Sequence, residues 1–165
     1  KRPGSTEKFM NLINEIRTAK PESVFRSNFI VGFPGESEQA HQELIEFVEK
    51  SQLLWTGFFP YSREKDTTAY NYENQIEPEL MQMRVRELQR IQDDITQKLL
   101  LASVGNQIDV LIDSQKQNQS TARGYDSAPE IDGVIKIEDT LKVGSVHKVE
   151  ITGVEGVDRY AKVVG

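Results

Sequence analysis

Near the start of the chain, apolar residues recur at Phe9, Leu12, Ile13 and Ile16, the three- and four-residue steps of one helix face. A helix is predicted over Ser5–Lys20, ended by Pro21, whose ring cannot continue it. Phe25–Val31 then loses the helical period. Phe25, Phe29, Ile30 and Val31 are β-favouring and nearly continuous, which predicts a strand covered on both faces, as in a parallel sheet. Gly32-Phe33-Pro34-Gly35 reads as a turn, and Ser37 as the cap of a second helix running to about Ser51, with Ala40, Leu44, Ile45 and Val48 inward. Leu53–Tyr61 is a second strand. Helix–strand–helix–strand at this spacing predicts βαβ organisation with a right-handed crossover.

Residues 62–76 are polar and aperiodic. A connection of this length is more often functional than a short one. Pro78 opens a long helix with the apolar stripe Leu80, Val85, Leu88, Ile91, Ile95 and Leu99; Arg84, Arg86, Glu87, Arg90, Asp93 and Asp94 are expected on its solvated face. Beyond Gly105 the texture becomes β-like. Gln107–Ile112, Ser120–Asp126, Val134–Glu138, Ser145–Thr152 and Val157–Val164 are short β-type runs punctuated by glycines. They predict a small antiparallel barrel of the OB-like kind, with a boundary near Val104.

The chain has 165 residues, 37% of them hydrophobic and 28% charged, enough for an ordinary core in a water-soluble chain. No apolar run approaches the roughly 20 residues of a membrane span, and the N-terminus lacks the pattern of a secretion signal. There is no Cys, which suits a reducing compartment such as the cytoplasm. The net charge of −6 argues against general nucleic-acid binding. From Val104 onward seven Lys and Arg face ten Asp and Glu, a net of −3, a poor match to bare RNA. The start, Lys1-Arg2-Pro3-Gly4-Ser5, has no initiator Met, and the chain is expected to be cut from something longer.

Phe25–Glu36 carries the most chemistry. In an α/β protein the carboxyl end of a strand is where ligands bind. Gly32–Glu36 (GFPGE) can be read as a phosphate cradle of backbone N–H groups or as a tight strand-to-helix turn; it lacks both the P-loop ending and the dinucleotide glycine spacing. Trp55, Phe58, Phe59 and Tyr61 are either a stacking surface or core. His41 and His147 have no partner at ligand spacing and read as structural or exposed. Asp126–Gly133 (DSAPEIDG) packs three carboxylates around a proline, as a solvated turn or as a docking knob for a cationic partner.

Together these segments resemble a known family. Lys1–Ser5, Ile16-Arg17, Arg26–Glu36 (RSNFIVGFPGE) and Gly57–Ser62 (GFFPYS) are similar to the second half of radical-SAM methylthiotransferases, and Ala128–Gly133 (APEIDG) is similar to their TRAM domain. The resemblance covers essentially the whole chain. APEIDG points to the branch that methylthiolates an aspartate β-carbon of a small-subunit ribosomal protein, with the tRNA-modifying branch and a non-catalytic TRAM module as alternatives.

The resemblance implies a partial radical-SAM (TIM-like) α/β barrel over 1–77, a linking helix over 78–103 and a TRAM β-barrel over 104–165. It implies S-adenosylmethionine as cofactor and two 4Fe-4S clusters in the full-length protein. One cluster, on a C-x-x-x-C-x-x-C loop, generates the 5′-deoxyadenosyl radical; the other supports sulfur transfer. None of those cysteines is in this chain, so it is expected to bind no cluster and to be inactive alone, with no catalytic residue of its own. Arg26, Ile30, Gly32, Phe33, Pro34 and Glu36 would line the adenosyl pocket, and Arg2 would reach the ligand or the substrate side. Asp126, Glu130 and Asp132 would dock a basic ribosomal protein. Two departures stand out. Glu36 falls one residue late against G-x-I-x-G-x-x-E, and Asp66 replaces the usual Gly in Tyr61–Ala69. A partial barrel leaves a strand edge open, so self-association is expected.

Overall fold

The computed structural model describes residues 5–164. The chain divides into two compact units, the first ending at Ile95 and the second starting at Thr96.

In the first unit, α1 (Thr6–Ala19) begins at Ser5, whose hydroxyl accepts the Lys8 N–H at 3.3 Å. The helix ends where the Lys20 N–H closes on the Ile16 carbonyl, one residue before Pro21. Strand β1 (Arg26–Val31) leads through the Pro/Gly turn into α2 (Glu38–Ser51), capped by the Ser37 hydroxyl on the Ala40 N–H at 3.1 Å. Gln52, at φ +47, releases the chain into β2 (Trp55–Pro60). The two strands pair in parallel with Phe29 opposite Phe58 and Ile30 opposite Phe59.

Phe29 stacks on Phe58 at 5.8 Å between ring centroids and meets the Phe47 edge at 5.9 Å. Ile13, Phe47 and Leu53 form a buried cluster with Met10, Phe25 and Phe29 against it. Trp55 and Phe58 are core, whereas Phe59 faces out. The sequence predicts cover on both faces of β1, and the structure corrects this. Phe29 and Val31 turn inward while Arg26, Asn28 and Ile30 are exposed, Ile30 by 63%. The apolar run is compatible with two-sided burial, but no described element lies over the second face. On α2, Ala40 is exposed and His41 and Phe47 take inward positions.

The long connection after β2 contains a 3-10 turn at Thr68–Asn71 that no periodicity announces. Helix α3 (Pro78–Ala102) starts at its proline as expected. Leu88 and Ile95 are buried, and the Gln92 side-chain amide donates to the Leu53 carbonyl at 2.9 Å, tying the helix to the segment that enters β2. One expectation for this helix fails: Arg84 is 3% exposed, not solvated.

The second unit is a closed barrel of β3 (Gln107–Lys116), β4 (Gln119–Arg123), β5 (Ile135–Ile137), β6 (Val146–Glu155) and β7 (Asp158–Val163), in the order β3-β4-β5-β7-β6. Alternating residues fill it: Val110 and Ile112, Ile135 and Ile137, Val149 and Ile151, with Ala122 and Ala161. This is the period of two that puts every second side chain on one face. Register breaks at Ile112/Ser114 and Ile151/Gly153 bend the two longest strands, as closure requires. The expected all-antiparallel pairing is corrected at one place, since β5 and β7 run parallel. Among the described residues no helix is long and apolar enough to cross a membrane.

Candidate ligand site at the strand ends and the barrel knob

At the carboxyl end of β1 the chain reverses through Gly32, at φ +79, and Gly35, at φ +86. Both are left-handed conformations that glycine adopts without strain. A Cβ on Gly32 would also lie 2.1 Å from the Met81 Cγ of α3. Glu36 folds back over this turn. Its Oε2 accepts the Gly32 N–H at 2.8 Å, and its Oε1 meets the Arg84 guanidinium at 2.8 Å. Arg84 also donates to the Glu36 carbonyl at 3.2 Å and to Glu38 Oε2 at 3.0 Å. The Gly35 N–H goes to the Asn74 carbonyl and the Glu36 N–H to the Phe33 carbonyl. Three of the amides a phosphate cradle would use are therefore taken by the chain itself, which favours the tight-turn reading of GFPGE.

Around this turn stand Ile30, Phe33 and Pro34. Phe33 is partly exposed and edge-packed on Tyr61 at 5.3 Å and Tyr72 at 6.0 Å. Ile30 and Phe59 lie side by side on the open face through their register. The structure thus gathers Ile30, Gly32, Phe33, Pro34 and Glu36 at one end of β1. Arg26 shares the Ile30 face but sits four residues back, about 13 Å along the strand. Arg2 lies outside the described residues. In the following loop Asp66 adopts φ +68, the conformation glycine would take there.

The chain has no Cys, hence no thiolate for an iron–sulfur cluster, and among the described residues no group of three or more His, Cys, Asp or Glu could hold a metal ion. Neither histidine belongs to such a group. His41 is buried, with Nε2 2.9 Å from Glu87, and His147 Nε2 lies 2.8 Å from the Ser145 hydroxyl. Apolar Ile30 and Phe33 stand uncovered at the strand end, a surface of the kind that packs against a flat ring.

On the barrel, Asp126–Gly133 is a locked loop. Arg159, 2% exposed on β7, makes two bonds to Asp126 at 2.6 and 2.7 Å and a third to the Ser127 hydroxyl at 3.1 Å. Asp132 Oδ2 accepts the Ala128 N–H at 2.6 Å. Asp158 accepts the Val134 N–H at 3.0 Å and pairs with Lys136 at 2.7 Å. Burial pushes the Asp158 carboxyl up, but the bonds from Lys136 and Val134 outweigh it and hold it below its ordinary 3.8. The same Asp158 bond raises Lys136. The three knob carboxylates therefore differ. Asp126 is turned in toward Arg159, Asp132 is half-buried and bonded within the loop, and Glu130, at φ +62, projects outward beside exposed Ile131.

Arg84 and Arg159 are the site residues the sequence reading omits. A signal existed for both. Arg84 lies four residues from Leu80 and four from Leu88, on the apolar stripe itself, and Arg159 shares the inward parity of Ala161.

Residues 104–164 match the TRAM domain model. The chain is 42% identical over 163 residues to the ribosomal protein uS12 methylthiotransferase RimO of Aquifex aeolicus, covering 95% of this chain and 38% of that protein. It is 39% identical over 164 residues to RimO of Nitrosomonas europaea, covering 98% and 37%. Against RimO of Aeromonas salmonicida the figures are 34% over 167 residues, 100% and 38%. The chain spans somewhat more than a third of the length of these relatives.

Proposed function

We propose that this chain is the substrate-facing part of a radical-SAM methylthiotransferase acting in the cytoplasm on an aspartate β-carbon of ribosomal protein uS12. The observation that carries this reading is the likeness to RimO across nearly the whole chain. Residues 1–77 are the last part of the radical-SAM barrel, 78–103 a linking helix and 104–165 the TRAM domain. The open face of β1 and β2 supports the barrel assignment, because parallel strands are normally covered on both sides. In a complete barrel that face looks into the lumen.

Arg26, Ile30, Gly32, Phe33, Pro34 and Glu36 form part of the wall for S-adenosylmethionine, which when bound supplies the radical precursor and the methyl group. Ile30 and Phe33 offer apolar contact to the adenine, while Gly32 and Glu36 fix the shape of the turn. The clusters are held by cysteines in other parts of the enzyme, and this chain alone is inactive. The TRAM barrel docks uS12 through acidic groups. Glu130 and Asp132 meet basic side chains, and Asp126 keeps their loop in place through Arg159. Charge complementarity of this kind directs encounter and orientation.

The test uses the full-length parent enzyme, purified without oxygen and loaded with clusters. Incubated with S-adenosylmethionine and uS12, it is expected to add the mass of a methylthio group to one uS12 aspartate, read by mass spectrometry. Modification of tRNA in place of uS12 would overturn the substrate assignment, and no transfer to either would overturn the enzymatic one.

A further inference from the structure

The Glu36 carboxylate can hold the Gly32 amide only while something holds Glu36. Its side chain is 12% exposed, and the cation that neutralises it is Arg84, itself almost fully buried. Arg84 reaches it from a different element, 48 residues away in sequence, and grips both the carboxylate and the main-chain carbonyl of the same residue. Charged hydrogen bonds of this kind are among the strongest a side chain makes, and the loss of one partner leaves a charge stranded with little water.

We propose that Arg84 is a positioning residue for the adenosyl pocket: through Glu36 it sets the conformation of Gly32–Glu36 and hence the placement of Ile30 and Phe33 against the cofactor. This rests on the reading of that turn as part of the S-adenosylmethionine wall. Without the guanidinium, Glu36 gains by swinging to water, and the Gly32 N–H loses its acceptor. A turn built on two left-handed glycines then has several backbone conformations open to it. Preorganisation is lost before any atom that touches the ligand is changed, and affinity falls by the cost of restoring the order.

The experiment titrates S-adenosylmethionine into the full-length enzyme by calorimetry, which reports the dissociation constant separately from the competent fraction. Arg84→Met is expected to raise the dissociation constant about tenfold, the scale of one charged hydrogen bond. Arg84→Lys, which keeps the charge without the fork, is expected to raise it less. Glu36→Gln combined with Arg84→Met costs no more than the larger single change, because both act through one contact. Glu46→Gln, which breaks an exposed pair with Lys50 on α2, leaves the constant unchanged.

A purely structural Arg84 would lower the unfolding midpoint and the competent fraction but leave the dissociation constant of that fraction as it was. That result, or simple additivity of the two changes, overturns the proposal while the pocket reading stands. Wild-type enzyme that takes up no S-adenosylmethionine overturns both. If Arg84→Met does not fold, the Arg84→Lys and Glu36→Gln titrations decide: unchanged constants in both sink the proposal.

Discussion

A Cβ atom on Gly133 would stand 1.8 Å from the carbonyl oxygen of Val157. The obstacle is backbone, not the end of a flexible side chain, so one of the two segments must move. Gly133 closes the acidic loop and Val157 forms the turn between β6 and β7, so their close approach sets the loop against the barrel. Gly133→Ala is expected to destabilise the barrel by about 1–3 kcal/mol, the range for forced overpacking. Thermal unfolding of the chain by circular dichroism reads this, at roughly 4–8 °C per kcal/mol for a domain of this size. An unchanged midpoint would show that the contact is loose.

The Asp126–Arg159 pair is buried and bidentate, with its charges matched. Breaking one side strands the other, at about 3–5 kcal/mol in comparable sites. Asp126→Ala is expected to cost on that scale in urea unfolding. Asp126→Ala with Arg159→Met removes both charges, and its cost is expected to be well below the sum of the single changes.

Asp158 makes barrel stability depend on pH. Its folded-state value is depressed, so its contribution is complete above the unfolded value and disappears as the pH falls through the lowered one. The loss therefore lies below 3.8. Lys136, raised in the folded state, keeps its share until the pH climbs through its own elevated value. Urea midpoints measured across a pH series are expected to fall on the acid side. In Asp158→Asn that fall should be shallower, and equal slopes in the two proteins would remove the Asp158 assignment.

Docking by the acidic loop predicts a salt-sensitive association. Glu130→Lys with Asp132→Lys in the full-length enzyme is expected to weaken uS12 binding several-fold at low ionic strength and much less at high salt, where surface charges are screened. Binding that is equal in low salt would exclude these two carboxylates from the interface.

The first unit also presents apolar surface. Phe9, Leu12 and Ile16 of α1 are exposed beside a cleft of about 510 Å³ that they share with Phe25, Arg26 and Phe29 along the β1 edge. Among the described residues β1 pairs with β2 alone, and apolar patches next to such a strand edge invite association. The 165-residue chain is expected to self-associate at high concentration, and Phe9→Lys with Leu12→Lys to reduce this; light scattering that shows a monomer for the unmodified chain would contradict it.

Much of the architecture was legible in the sequence because it is locally encoded. Ser5 and Ser37 cap the helices that follow them, Pro78 opens α3, and the β-type runs after Gly105 become the strands of a closed barrel. In each case neighbouring residues carry the whole signal, through period, capping chemistry or ring geometry. The strand-to-turn junction at the end of β1 was legible too, as an apolar strand running into Gly32-Phe33-Pro34-Gly35.

What tertiary structure alone decided is who meets whom across long separations. Arg84 reads from the sequence as a solvated cation among the charges of α3, and only the fold sets Glu36 opposite it. The inward turn of Asp126, away from the solvent-facing role its acidic loop suggests, follows from Arg159 lying 33 residues away. The parallel β5–β7 pairing likewise depends on barrel closure. Local sequence fixes which groups are available and on which face. The low-dielectric interior then decides their partners, since a buried charge must find its counterion wherever the fold brings one near.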